Sequence, residues 1–508
     1  MIILTHKEKY LFNSISTVVN ELNLGTIVRV AGGWVRDKLL GIESCDIDFA
    51  IDSMTGKEFF NYLRNNVNGI IKINCAGVVK INSDKSKHLE TARMRVTSEE
   101  LNLNIECDIT NLRTEIYSSD SRVPVVNIGT PQEDAFRRDL TINSLFYNIV
   151  ENKIEDFTGY GLDDLKNKIA RTPMDAEKTL LDDPLRILRI LRFTSRFNLA
   201  LDNGVIQILS ENHYLLNQLK TKVSKERIGS ELKQILYHAN WISSIELINK
   251  FNLFSCMAEI PDCAFNNAAK EAIKTKFYKS HEYCEFIENQ IFKHMTFLNL
   301  SKINKNEEYI KFILKFAAIS LPFTNLQINN NNKLINLVKY LAKYSLKYSN
   351  CEVDNIVICL EYIDLFTEFV NSSPKGNNIK IKFANIINLI QRNDSHNSYL
   401  WEFGFVLAYV REYCNKLDNE HAQIKLKYKN AYDYIYDNNL DALYSMKLLM
   451  DGDDIIKRWN VKDMVIGNIK TNIYFWQILN PIKTYDDLID EINLNLENFS
   501  KLNISILI

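Results

Sequence analysis

Asp46 and Asp48 stand one residue apart, shortly after Gly32-Gly33-Trp34-Val35-Arg36-Asp37. Read as a strand, Cys45 to Ile51 points both carboxylates to one side and turns Ile47 and Phe49 inward, because residues i and i+2 share a face. Two carboxylates so placed suit a hard cation such as Mg²⁺, which takes oxygen ligands and shares its shell with a substrate's phosphates. Upstream, the apolar run Thr26 to Ala31 reads as a buried strand that Gly32-Gly33 ends. Val35 to Leu40 then begin a helix whose free N–H groups can face an anion. Taken alone, Asp-x-Asp also fits a solvated strand edge, and Gly-Gly a plain tight turn. The G-x-G-x-x-G spacing of a dinucleotide fold is absent.

Further stretches follow in order: Glu133 to Leu145 around Arg137-Arg138-Asp139, Asp156 to Leu165, Asp182 to Phe193, and Val223 to Leu232. With the two earlier motifs, they closely resemble the class II nucleotidyltransferases, and specifically the eukaryotic CCA-adding tRNA nucleotidyltransferases, over about the first 235 residues.

The resemblance implies that Asp46 and Asp48 hold two Mg²⁺ ions in a clamp for in-line phosphoryl transfer. It implies a third carboxylate, Asp108, with Glu106 on the same face as the alternative. Gly33 and Arg36 match the residues that receive the triphosphate. The plain alternative for Arg36 is a helix-surface arginine paired with Asp37 or Glu43. Arg137, Arg138 and Asp139 match a motif that engages triphosphate and ribose. Arginine supplies planar permanent donors, and Asp139 can accept from a 2′-hydroxyl. Asp183 and Arg186, at i and i+3 on one helix face, form an acceptor and a donor fork that can read the Watson–Crick edge of cytosine or adenine. The competing reading is a helix cap at Asp182 or Asp183 before Pro184. Arg189 and Arg192 continue the stripe toward the phosphates, and Lys87 to Arg95 match a flexible loop.

The implied reaction is template-independent addition of the 3′-terminal CCA of tRNA from CTP and ATP, releasing pyrophosphate. A CC-only or A-only enzyme, or a poly(A) polymerase with the same head, would carry nearly the same motifs. A catalytically dead RNA-binding protein would be expected to have lost some of Asp46, Asp48, Arg138, Asp183 and Arg186.

With 508 residues, the chain has room for three or four domains, and a formal net charge of −2 leaves any RNA surface as a local basic stripe. Nine cysteines without C-x-x-C pairs predict reduced thiols in a cytoplasmic setting, with nucleus and mitochondrion open as further compartments. No apolar run is long enough to cross a bilayer, and the acidic, arginine-free start predicts neither signal nor transit peptide.

Up to about residue 150, short β-rich runs (70–73, 76–81, 103–109, 125–128) alternate with helical ones; beyond 157 the apolar period is helical. The expected fold is therefore α+β: a small mixed-sheet, polymerase-β-like catalytic head (1–150), then an all-α neck that reads the base (151–240), a body (241–375) and a tRNA-binding tail (376–508). The asparagine-rich stretches 328–333 and 371–378 read as loops between helices.

Overall fold

The computed structural model describes residues 2–44, 46–67, 69–79, 91–118, 121–259, 267–294, 297–298, 306–330, 333–372, 377–393 and 399–501. The chain forms two units, Met1–Glu259 and Ile260–Ile508.

In the first unit, helix α1 (His6–Glu21) starts from a capping box between Thr5 and Glu8. Glu8 also anchors two residues beyond this helix, accepting from Trp34 Nε1 at 3.1 Å and pairing with Lys38 Nζ at 2.8 Å. Trp34 is thereby buried against the rings of Phe12 and Tyr147. The chain continues through β1 (Arg29–Ala31), α2 (Gly33–Leu39), β2 (Ile47–Ile51), α3 (Gly56–Asn66), β3 (Lys72–Val79), β4 (Thr91–Ser98) and β5 (Leu103–Asn111). A separate hairpin, β6 (Arg113–Ser118) and β7 (Ser121–Ile128), leads to α4 (Pro131–Phe136), β8 (Phe146–Asn148) and β9 (Lys153–Glu155).

Seven strands form one mixed sheet in the order β3-β4-β5-β2-β1-β8-β9; β2 and β5 are parallel, and the other neighbours antiparallel. Then come α5 (Gly161–Asn167), β10 (Ile169–Ala170), α6 (Ala176–Asp182), α7 (Arg186–Phe197), β11 (Ala200–Leu201), α8 (Asn203–Glu211), α9 (His213–Lys222), α10 (Lys225–Tyr237) and α11 (Trp241–Lys250).

Three local expectations of the first unit are corrected. The strand expected from Thr26 begins only at Arg29, because Thr26 Oγ1 and the Ile27 N–H donate to the Asp52 carboxylate instead of to a ladder. Residues 72–73 and 76–79 of the two runs belong to one strand, β3, with a bulge at Cys75/Gly77; 80–81 lie outside the described residues. Thr91 to Arg95, expected in a flexible loop, lie in β4, paired on both sides; Lys87 to Glu90 lie outside the described residues.

The second unit is largely helical, from Asn267–Phe286 to Tyr485–Ser500. Helix Leu400–Cys414 is buried from Leu400 to Val410, as befits a central helix apolar all round. A Cβ on its Gly404 would come within 2.6 Å of the Phe366 ring, so glycine there permits close packing. Of the two asparagine-rich stretches, 328–333 falls mostly in paired antiparallel strands, Gln327–Asn330 with Lys333–Asn336, rather than in a loop; 331–332, and 373–376 of the other stretch, lie outside the described residues. Met450, Ile455, Ile473, Trp476, Leu488 and Phe499 make a core near the end of the chain. Among the described residues, no helix is long and apolar enough to cross a membrane.

Candidate active site

A cleft of about 1170 Å³ in the first unit is lined by residues from β2, β5, α2, α7 and α10 and from the stretch between α4 and β8. Twelve of the residues singled out above for chemistry line it: Gly33, Arg36, Asp46, Asp48, Asp108, Arg137, Arg138, Asp139, Asp183, Arg186, Arg189 and Arg192.

Three carboxylates occupy one wall. Ile47 and Phe49 are buried, so Asp46, just before β2, and Asp48, within it, turn to the cleft. The parallel pairing of β2 with β5 sets Asp48 beside Asp108, whereas Glu106 pairs with Arg95 and is not part of the lining. Burial, then the like charges of Asp46 and Asp108, push the Asp48 carboxyl up to about 6, although water still reaches it. Hard oxygen donors that repel one another in this way fit a divalent cation. Asp108 is meanwhile gripped by Arg93 of β4, Nε to Oδ1 at 2.7 Å and Nη2 to Oδ2 at 3.1 Å.

The glycine turn is built by contact. Gly32 has φ +66°, and its N–H donates to Leu145 O at 2.8 Å. Beyond it, α2 begins at Gly33. Arg36 pairs with Asp37, as in the plainer reading, but it is buried, not on the surface. Its guanidinium stacks over Phe193 and Phe197 and donates to Asn143 Oδ1. Burial, outweighing the help of Asp37, lowers its pKa.

Arg137 and Arg138 share one buried acid, Asp134, which takes Arg137 Nε at 2.9 Å and Arg138 Nη2 at 2.8 Å. Burial would raise that carboxyl, but the two guanidiniums outweigh it and hold it at about 2. Asp139 is buried too. Its Oδ1 accepts from Leu140 N and Asn143 Nδ2, and its Oδ2 from Arg189 Nε and Nη2. These four donors fill a carboxylate's acceptor sites. In this structure Asp139 thus fixes Arg189, with no acceptor site left open for a ribose hydroxyl.

Arg186, Arg189, Arg192 and Arg196 recur at three- and four-residue spacing along α7 and line the cleft, while Ile187, Leu188, Ile190 and Leu191 are buried. Arg192 is held by Glu231 of α10 and lies 4.2 Å from the Phe193 ring centre. Asp183 and Arg186 are neighbours in the cleft but do not share a helix face. Asp182 ends α6, Asp183 is extended (φ −137°, ψ 98°), and α7 starts only at Arg186 after the break at Pro184. The turn contact falls to Asp183, whose Oδ1 accepts from Leu185 N at 3.2 Å, and not to Asp182. Arg186 donates to Thr179 O at 3.2 Å and Arg137 O at 2.7 Å, with Glu115 at 3.9 Å.

Sequence reasoning gave no role to Asp134, Asn143, Glu115, Arg227 or Glu231. Asp134 and Asn143 were findable, since they stand four residues from Arg138 and Asp139 respectively. The other three come from distant elements.

A cleft of this build, at the junction of a mixed sheet and an arginine-striped helix, defines a nucleotidyltransferase head. A family model described as the Poly A polymerase head domain matches residues 28–171. The tRNA nucleotidyltransferase cca2 of Schizosaccharomyces pombe is 31% identical, covering 91% of each chain. A protein of Saccharomyces cerevisiae named CCA tRNA nucleotidyltransferase, mitochondrial, is 33% identical over 93% of this chain and 88% of its own. Among solved structures, a CCA-adding enzyme with CTP aligns at TM-score 0.59 and 19% identity, covering 97% of this chain and 96% of its own, a likeness of fold. The chain belongs to the CCA-adding tRNA nucleotidyltransferases. Use of a divalent metal ion goes with that family.

Proposed function

We propose that this cleft adds C, C and A in turn to the 3′ end of tRNA, taking CTP and ATP without a template and releasing pyrophosphate. One observation carries the reading: a wall of three carboxylates and a stripe of braced arginines line a single cleft, with Asp183 and Arg186 in it. Asp46, Asp48 and Asp108 would hold Mg²⁺, which when bound supplies an activated RNA 3′-oxygen and neutralises triphosphate charge.

The chain's own groups do the rest. Gly33 lets the triphosphate approach the backbone. Arg138, Arg189 and Arg192, each fixed by an acid behind it, offer donors already set for phosphate oxygens. Arg36, buried, and Arg137, half-buried, support them, and Asp139 influences ribose binding through Arg189. Asp183 accepts the exocyclic amino group common to cytosine and adenine, and Arg186 donates to the ring acceptor beside it. We assign the grip on the tRNA body to residues 376–508, where Lys457 and Arg458 are exposed at the end of helix Gly452–Trp459. Two fungal relatives are named as mitochondrial, which supports a mitochondrial share of the protein beside a cytoplasmic one.

The test uses tRNA transcripts ending before the first C, after CC and after CCA, each with single and mixed nucleotides. The expected products stop at CCA. Addition of A alone to CC ends would reduce the activity to the last step, and open-ended A tails would overturn the reading.

A further inference from the structure

We infer that Arg227, on α10, is a positioning residue for base selection: it holds the Asp183 carboxylate so that one acceptor site is left for a base. The inference rests on the proposed reading of the base by Asp183.

Asp183 has little else to orient it. It lies beyond the end of α6 in extended backbone, so neither helix fixes its side chain. Its Oδ1 accepts from Leu185 N at 3.2 Å and Arg227 Nη1 at 3.2 Å, and its Oδ2 from Arg227 Nη2 at 2.7 Å. A carboxylate offers about four lone-pair sites, so three are occupied and the remaining one is on Oδ2. One site matches one amino N–H, from N4 of cytosine or N6 of adenine. Uracil and guanine bring a carbonyl oxygen to the equivalent position, and two acceptors repel.

Arg227 is itself well placed to act as a brace. Four residues on, Glu231 holds Arg192, so one face of α10 anchors both α7 and the turn that precedes it. Ile228, Leu232, Ile235 and Leu236 bury the rest of α10. The pair is partly open to solvent, with Arg227 38% and Asp183 16% exposed, and an ion pair of that exposure contributes little to stability. Its bidentate geometry instead sets the plane of the carboxylate.

The full chain is assayed with tRNA lacking CCA, comparing kcat/KM for CTP and UTP in the wild type, Arg227→Gln, Arg227→Lys, Asp183→Ala and the double variant Arg227→Gln with Asp183→Ala. Arg227→Gln should lose about tenfold or more of its discrimination against UTP, the size of effect expected from a charged hydrogen bond. Arg227→Lys keeps the charge without the fork and should fall between Arg227→Gln and wild type, which carries the test should Arg227→Gln fold poorly. The double variant should discriminate no worse than Asp183→Ala, because Arg227 acts through Asp183. Wild-type discrimination in both Arg227 variants, beside a relaxed Asp183→Ala, overturns the role of Arg227. So does an additive double variant. Full selectivity in Asp183→Ala removes the base-reading assignment itself, and this inference with it.

Discussion

Replacing Gly32 by alanine probes the turn on which the cleft is built. At φ +66° and ψ −112°, Gly32 occupies backbone space that an L side chain enters only under strain, about 1–3 kcal/mol. The added Cβ would also stand 2.5 Å from Arg138 Nη1 and 3.1 Å from Asn143 O. Arg138 must retreat by about 0.9 Å to reach ordinary contact. It is not a loose end: Asp134 holds its Nε and Nη2, Phe146 lies under it, and its Nη1 donates to Asn143 O at 3.2 Å. Losing that last bond, one with a charged donor, costs about 1.5–3 kcal/mol, so the whole change comes to about 2.5–6 kcal/mol. Gly33→Ala is the matched control. Its φ lies outside the left-handed region, and the nearest atom to the new Cβ, Arg36 Nη2, is 3.7 Å away. In calorimetry of the full chain, Gly32→Ala should lower the melting of the first unit by on the order of 10 °C, and CTP addition should be lost. Gly33→Ala should melt as wild type and show its effect, if phosphate approaches this backbone, as a raised KM for CTP. Equal melting of the two variants would refute the reasoning.

Asp134→Asn should destabilise the protein in a pH-dependent way. The folded carboxyl, held at about 2, lies below its unfolded value near 3.9, so the pair's stabilisation is complete above about pH 5 and lost as pH falls toward 2. The gap corresponds to about 2–3 kcal/mol at neutral pH; a wild-type-to-variant difference that stays constant from pH 7 to 3 would contradict it. Asp46→Ala and Asp48→Ala should each abolish addition of both C and A while tRNA binding, followed by gel shift, persists; turnover at saturating Mg²⁺ would remove the metal assignment. CTP should be used much better than dCTP, and Asp139→Asn, which loosens Arg189, should narrow that preference; equal rates for the two nucleotides in the wild type would end the ribose reading. Lys457→Glu combined with Arg458→Glu should weaken tRNA binding without changing the order C, C, A, measured by filter binding and product length; unchanged affinity would move the tRNA grip elsewhere.

What the sequence made legible was periodic and local. Asp46 and Asp48 could be paired because strand geometry has a period of two, and the arginine stripe of α7 could be read because its apolar partners recur at helix spacing. The strand β4 carried the same kind of signal and was still missed. Ala92, Met94 and Val96 alternate with Arg93, Arg95 and Thr97, and all three are buried, whereas the family resemblance matched this stretch to a flexible loop. Choosing Asp108 over Glu106 needed the register of β2 on β5, which no single strand's sequence contains.

The partners of the arginines were illegible for a different reason. Arg192 meets Glu231 and Asp183 meets Arg227 across separations that no periodicity encodes, because tertiary packing of α10 on α7 creates them. These pairings change what the motif residues can do. An arginine alone in a cleft would spend rotamer entropy to bind phosphate; one already bonded to Asp134, Asp139 or Glu231 has lost much of that freedom on folding and presents its remaining surface in a fixed direction. The same holds in reverse for Asp183, which an arginine braces. A motif scan sees the cations and the acids as separate letters. In the fold they are couples, and on the proposed reading the site's selectivity resides in which member of each couple is left facing the nucleotide.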